Sequence, residues 1–178
     1  MTIEPLTVTL DTNQIIDAST LDRLLDLHGS AIEFTIVTVT VRELNPGKRL
    51  TDLSEFDQRI TDLGIRTIPE SMMLGESQTG FMALAADGDN ERLRETLDLA
   101  SNGGFPPPGE WTSLTDGQER QKRDALILAS HSREGHDVLV TGDRRFFINH
   151  GRRGRLERIW ETRIMTPEEF LAQYSSWT

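Results

Sequence analysis

Apolar and polar positions alternate over residues 6–10, where Leu6, Val8 and Leu10 are interleaved with Thr7 and Thr9, the two-residue period of a strand. The period then becomes helical. Leu21, Leu24, Leu25 and Leu27 form the apolar side of a helix over residues 19–28, with Ser19 as its cap, Asp22 in its first turn and Gly29 at its end. A second strand is expected over residues 33–39, feeding a short helical turn that carries Glu43 and breaks at Asn45-Pro46-Gly47. Leu53, Phe56, Ile60 and Leu63 fall at helical spacing before Gly64, and residues 65–68 read as a short strand ending at Pro69. Between 70 and 117 the pattern loosens into apolar pieces at 72–74 and 81–86, a helix over 90–100, and a loop built on Ser101-Asn102-Gly103-Gly104 and the prolines 106–108. Order returns with a long helix over 118–134 whose buried part is Ala125-Leu126-Ile127-Leu128-Ala129. A continuously apolar strand over 137–141, a helical stretch over 144–150, an edge strand over 163–165 and a helix over 167–174, capped by Thr166 with Pro167 at its first position, complete the chain.

Strands alternating with helices imply a parallel sheet covered on both faces. The expected fold class is therefore α/β, a three-layer α/β/α sandwich around a central parallel sheet, formed by a single domain over residues 1–178. Residues 70–117 hold too few apolar side chains to bury a core of their own and are expected as a helical and loop insertion, a lid over the active edge of the sheet. There is no internal repeat and no low-complexity tract.

Three of the strand-like stretches run out into a lone carboxylate: Val8-Thr9-Leu10 into Asp11, Val39-Thr40-Val41 into Glu43, and Val138-Leu139-Val140-Thr141-Gly142 into Asp143. In an open parallel sheet the ligand crevice lies beyond the carboxyl ends of the strands, so these acids are expected to meet there. Asp124, which opens the apolar face of the long helix, is the fourth. Carboxylates brought together repel one another unless protons or cations neutralise them, and a divalent metal is the simplest neutraliser. The pattern points to metal-assisted hydrolysis. Each acid taken singly has a plainer use: an Asp after a strand is often a turn former or helix cap, and Glu43 and Asp124 could be exposed helical acids.

Composition narrows the classes. With no cysteine among its 178 residues the chain has no disulfide, thiolate site or thiol nucleophile, and a reducing compartment, the cytoplasm, is expected. No apolar run approaches the roughly 20 residues of a membrane span, and the first residues lack a signal-peptide pattern. The net charge of -10 argues against a polyanionic ligand taken as a whole, but its distribution does not. Arg144, Arg145, Arg152, Arg153, Arg155 and Arg158 stand against one acid, Glu157, directly after Asp143. Beside a metal site the first five become candidate phosphate contacts; the alternative is a solvated helix face.

The fragments Leu10-Asp11-Thr12-Asn13, Thr40-Val41-Arg42-Glu43-Leu44, Arg123-Asp124-Ala125-Leu126-Ile127-Leu128-Ala129 and Thr141-Gly142-Asp143-Arg144-Arg145-Phe146, in this order, resemble the motif series of the PIN-domain nucleases. The resemblance covers about residues 6–69 and 118–173 and implies a PIN-like fold with Asp11, Glu43, Asp124 and Asp143 as catalytic metal ligands. It also implies Mg2+ or Mn2+ as cofactor and RNA as substrate: an endoribonuclease, often the VapC-type toxin of a toxin-antitoxin pair, with an antitoxin protein and a homodimer as partners. The chemistry is self-consistent, since a hard cation held by a few carboxylates and substrate oxygens needs no side-chain nucleophile. Asn13 would orient the Asp11 carboxylate or a metal-bound water, and Thr141 would do the same for Asp143.

Two other readings compete. A phosphatase of the haloacid-dehalogenase type also places an Asp after its first strand, but its general acid two residues on is replaced here by Asn13. A catalytically silent PIN-like scaffold would bind RNA or protein without cutting, and differs from a nuclease in needing no metal. His28, His131, His136 and His150 share no ligand spacing and are expected at the surface or as caps. Trp111 either stacks a base or anchors its loop on the core.

Overall fold

A computed structural model describes residues 4–29, 31–44, 58, 60–71, 82–83 and 88–176. The Asn45-Pro46-Gly47 break, Leu53 and Phe56, and most of the apolar pieces at 72–74 and 81–86 lie outside the described residues. The chain is α/β. Its elements are β1 (Leu6–Leu10), α1 (Thr12–Ile16), α2 (Ala18–Leu25), β2 (Ile32–Val37), α3 (Thr38–Leu44), β3 (Arg66–Ile68), β4 (Glu70–Ser71), β5 (Met82–Ala83), α4 (Asp89–Ser101), α5 (Asp116–Arg133), β6 (Val138–Val140), α6 (Arg152–Trp160), β7 (Arg163–Met165) and α7 (Pro167–Tyr174).

Five strands form one all-parallel sheet in the order β3-β2-β1-β6-β7, and β4 and β5 make a separate parallel pair. The chain builds outward from β1 to β3, then returns to place β6 on the other side of β1. The exits of β1 and β6 therefore diverge at the middle of the sheet, the place where such sheets leave a crevice. Register brings the two exits level: Leu10 pairs with Val140, and the Asp11 amide donates to the Val140 carbonyl at 3.0 Å.

Alternation along the strands divides the core. Val8, Leu10, Ile32, Phe34 and Ile36 pack with Leu21 and Leu24 of α2 and Phe170 and Leu171 of α7. Val37, Leu139 and Ile164 pack on the other side with Leu93 and Leu97 of α4, Ala125–Ala129 of α5 and Leu156 and Trp160 of α6. Helices cover both faces, an arrangement compatible with the expected sandwich. Most boundaries fall within one or two residues of those expected. Three local assignments differ. Asp17, not Ser19, caps α2, accepting from the Ser19 and Thr20 amides. The long helix begins at Asp116, where Thr115 and Gln118 form a reciprocal capping box. Val39-Thr40-Val41 is helical: α3 starts at Thr38, directly after β2.

Of the segment 70–117, the described part from residue 88 onward is built into the second core. Leu93, Leu97, Ala100 and Phe105 are buried there, and the Trp160 indole donates to Thr96 Oγ1 at 2.7 Å. Trp111 is half-buried, donating to the Pro106 carbonyl at 2.9 Å with its ring edge-on to Phe105, which makes it a loop anchor. No helix among the described residues is long and apolar enough to cross a membrane.

Candidate active site

Asp11, Glu43, Asp124 and Asp143 line one cavity of about 790 Å³, together with Thr12, Asn13, Arg145, Phe146, Arg152 and a wall from the start of α5 that includes Thr115, Gln118, Arg120 and Gln121. The four acids expected from the sequence are thus brought together at the sheet's diverging strand exits. The amphipathic pattern of α5 explains the wall. Its second half, from Ala125 to His131, is buried against the sheet, whereas its first half is more polar and projects past the strand ends.

Each acid is held differently. Asp11, 2 % exposed, caps α1: Oδ1 accepts from the Thr12 amide at 2.7 Å, and Oδ2 from the Thr141 hydroxyl at 2.7 Å and Asn13 Nδ2 at 3.0 Å. Asn13 orients Asp11 as expected. Thr141 serves Asp11 and not the Asp143 carboxylate, because its hydroxyl points across to β1 and accepts only the Asp143 backbone amide, at 3.0 Å. Asp143 caps the π-helical turn Arg144–Ile148, with Oδ1 accepting from the Arg145 and Phe146 amides. Glu43 receives the Thr12 hydroxyl on Oε2 and pairs with Arg123 Nε through Oε1 at 2.7 Å. Asp124 accepts no hydrogen bond from any described residue. Gly142 sits close between these groups: a Cβ there would stand 3.0 Å from Gln14 Nε2 and 3.4 Å from Asn13 Oδ1, so those side chains would have to give way, and its amide donates to Asn13 Oδ1 at 3.1 Å.

Electrostatics record the crowding. Burial raises the Asp11 carboxyl from 3.8 to about 6, against the hydrogen bonds from Thr141 and Thr12 that lower it, and the charges of Glu43 and Asp143 add to the rise. Asp124 is raised well above the usual carboxylate range, first by burial, then by Asp11, Asp143 and Glu43, with Arg123 opposing. Proton affinity is stored where the acids meet.

The arginine run does not form one face. Arg145 and Arg152 line the cavity, and only Arg145 is exposed there. Arg152 is buried and donates to the carbonyls of Arg145 at 2.6 Å and Ala100 at 2.9 Å, so it is no free phosphate hook. Arg153 pairs with Glu169 of α7 at 2.9 Å, and the charge of Arg144 is felt by the same glutamate. Arg155 lines a different groove, beside Glu91, Glu95 and Asp98 of α4. Helical geometry fans neighbouring residues by about 100° each, which adjacency in sequence conceals. Arg120 and Arg123 escaped the sequence reading because they belong to the polar half of α5, where nothing but the fold marks them. The histidine expectation fails for two residues. His131 is fully buried and His136 nearly so; both reach Thr9 Oγ1 through Nδ1 at 2.9 Å, because α5 and the loop after it close over the polar side of β1.

Mg2+ and Mn2+ take oxygen donors, and the cavity offers four carboxylates with the chemistry such an ion needs. Among the described residues, however, no three His, Asp or Glu side chains are gathered tightly enough to grip an ion as they stand. Glu43 is drawn off by Arg123 and Thr12, and Asp143 turns one oxygen to its own backbone turn. The donor set fits in chemistry, with Glu43 engaged by Arg123 and Thr12. No model of a known protein family matches the chain, and no curated protein sequence matches it either.

Proposed function

We propose that the chain is a divalent-metal-dependent endoribonuclease with a PIN-like fold, in which Asp11, Glu43, Asp124 and Asp143 hold Mg2+ or Mn2+. The observation that carries this reading is the shared cavity, where four acids from β1, α3, α5 and the β6 exit face one another and two of them hold protons far more tightly than ordinary carboxylates. When bound, a divalent ion supplies an acidified water as nucleophile and positive charge on the phosphoryl oxygens. The chain's own residues do the rest. Thr12, Asn13 and Thr141 fix the Asp11 carboxylate so that it cannot turn away. Asp143 keeps Oδ2 clear of hydrogen bonds among the described residues while Oδ1 stays in the turn. Asp124, whose proton affinity is raised by burial and by the neighbouring acids, lines the same cavity and is the group placed to exchange a proton there. The narrower form of the reading is the toxin of a toxin-antitoxin pair, partnered by an antitoxin and by a second copy of itself.

Incubating the protein with a mixed RNA pool in Mg2+ or Mn2+, and mapping the ends of the products, tests the proposal. Cleavage should vanish in chelator and in Asp124→Asn and Asp143→Asn. The second reading, a silent scaffold, draws on the Arg123–Glu43 ion pair, which holds one acid away from the others. A wild-type protein that binds RNA but leaves it whole at millimolar metal would decide for the scaffold.

A further inference from the structure

Behind the carboxylate cavity lies a second one of about 590 Å³, lined by no aspartate or glutamate. The two share Gln121, Arg145 and Arg152 as a common wall, and the second adds His150 and Asn102. They differ in their acids: the first sets four carboxylates against Arg120 and the two shared arginines, whereas the second joins those two arginines to a histidine with no carboxylate in its lining.

Arg152 is the informative residue. The residue is 9 % exposed and its guanidinium is bonded to two backbone carbonyls, with no carboxylate within ion-pair distance among the described residues. A buried cation normally has a counter-anion, because carbonyl dipoles alone leave its charge uncompensated. Arg152 lines both cavities, and in the second no aspartate or glutamate stands against an incoming anion. Arg145 is exposed and its side chain makes no hydrogen bond or ion pair with any described residue, so its fork is free to close on an anion there. His150 is exposed at φ 59, a left-handed conformation uncommon for a side-chain-bearing residue, at the rim of the same cavity. One feature opposes an anion, the carbonyl-rich C-terminal end of α4. Arg152 and Gln121 cover it by donating to the Ala100 carbonyl at 2.9 and 3.4 Å.

We infer that the second cavity is a phosphate subsite for single-stranded RNA, taking a phosphodiester adjacent to the one that lies over the four carboxylates. Arg152 provides the fixed charge, Arg145 and His150 the closing contacts. The assignment rests on the nuclease reading for the identity of the strand, and it gives that strand a direction of travel: past Arg145, away from Asp143.

The test uses a labelled ten-nucleotide single-stranded RNA with the full chain in Mg2+, in the Asp124→Asn background so that the RNA stays whole. Arg145→Ala with His150→Asn is compared with Arg23→Ala, which removes an exposed arginine on α2. Arg152 bonds to the backbone carbonyl of Arg145, so its anchor survives the substitution, and Asn tolerates the left-handed backbone at 150. The double variant should bind about tenfold more weakly, the loss expected for a charged hydrogen bond. Its salt dependence should flatten by about 0.7 in log-log slope for each phosphate contact removed. Affinity and slope equal to those of Arg23→Ala would overturn the subsite. Wild-type cleavage with an inert Arg145 and His150 would therefore sink the subsite and leave the nuclease standing. Binding that depends on both residues, in a chain that never cuts, would sink the nuclease and leave an RNA-binding cavity.

Discussion

Asp124 is a carboxylate that accepts no hydrogen bond from the described residues, set among three other acids, and the physical cost of that position gives it a measurable signature. Its proton affinity in the folded chain exceeds the value near 3.8 that it has when unfolded. The folded state therefore binds more protons above that pH, and stability falls as pH rises through the window where the folded group ionises. At pH 7.5 without metal, Asp124→Asn should raise the melting temperature by roughly 2–4 °C, the shift that about 1 kcal/mol produces in a chain of this size. Addition of Mn2+ should stabilise the wild type and leave the variant unmoved. Thermal scans in chelator and in Mn2+ read both effects. A lower melting temperature in chelator would make Asp124 a structural acid and remove the repulsion from the account. Asp11 is different in kind: three donors surround its carboxylate, and an amide there would turn an N–H toward them. No stabilisation is expected from Asp11→Asn.

At the level of elements, the ion pair between Glu43 of α3 and Arg123 of α5 is the joint that decides how far the site is assembled. Both side chains are partly buried, at 19 % and 32 % exposed, so the pair is stronger than an open surface contact and competes directly with a cation for Glu43. Arg123→Gln should increase the affinity for Mn2+, read as a larger rise in melting temperature at a fixed sub-saturating concentration, and the gain should disappear when Glu43→Gln is added. An equal shift in the single variant and the wild type would show that Glu43 takes no part in binding the ion. Elements whose signals are local were legible in the sequence: the alternation of β1, the apolar run of β6, and the Thr166-Pro167 start of α7 all sit where expected. So were Asp11 and Asp143, because they follow β1 and β6, whose ends are fixed by those same local signals; Glu43 and Asp124 lie within α3 and α5 and reach the cavity through the packing of those helices. What was not legible depends on partners distant in sequence. Val39-Thr40-Val41 has strand-like composition yet lies in α3, where burial, of Val41 in the first core and of Val39 in the second, overrides propensity. The five arginines looked like one strip because sequence adjacency says nothing of the separate directions in which α6 sends Arg152, Arg153 and Arg155.

Across the whole molecule, β1 carries two opposed burdens: Asp11 at its exit and Thr9 within it. Thr9 Oγ1 is shared by Nδ1 of His131 and of His136, with Thr35 of β2 beside them; Thr162, in the turn before β7, closes on the other nitrogen of His131. This cluster ties β1, β2, α5 and the approach to β7 together, and it holds both imidazoles neutral. Burial, with a smaller effect from His136, lowers His131 from 6.5 to about 3, and burial and Arg66 lower His136. A folded value below the unfolded one means that the unfolded chain binds the extra proton, so this stability is complete above pH 6.5 and is lost as pH falls from there toward 3. For His131 alone the loss at pH 4.5 is on the order of 3 kcal/mol, a large part of a typical domain's stability. The acid cluster acts in the opposite direction, since Asp11 is relieved by protonation as pH falls through 6. The wild type should therefore lose less stability on mild acidification than its histidines alone dictate. His131→Gln separates the two effects: it removes the imidazole proton and keeps a side chain able to bond Thr9. Urea unfolding at pH 7.0 and 4.5 should show the variant gaining roughly 2–3 kcal/mol relative to the wild type between the two values. Because that difference is taken within each protein, any uniform loss from the substitution cancels. Identical pH dependence in the two proteins would mean that His131 is charged or solvated in the folded chain, and that the cluster around Thr9 does not govern its acid limit.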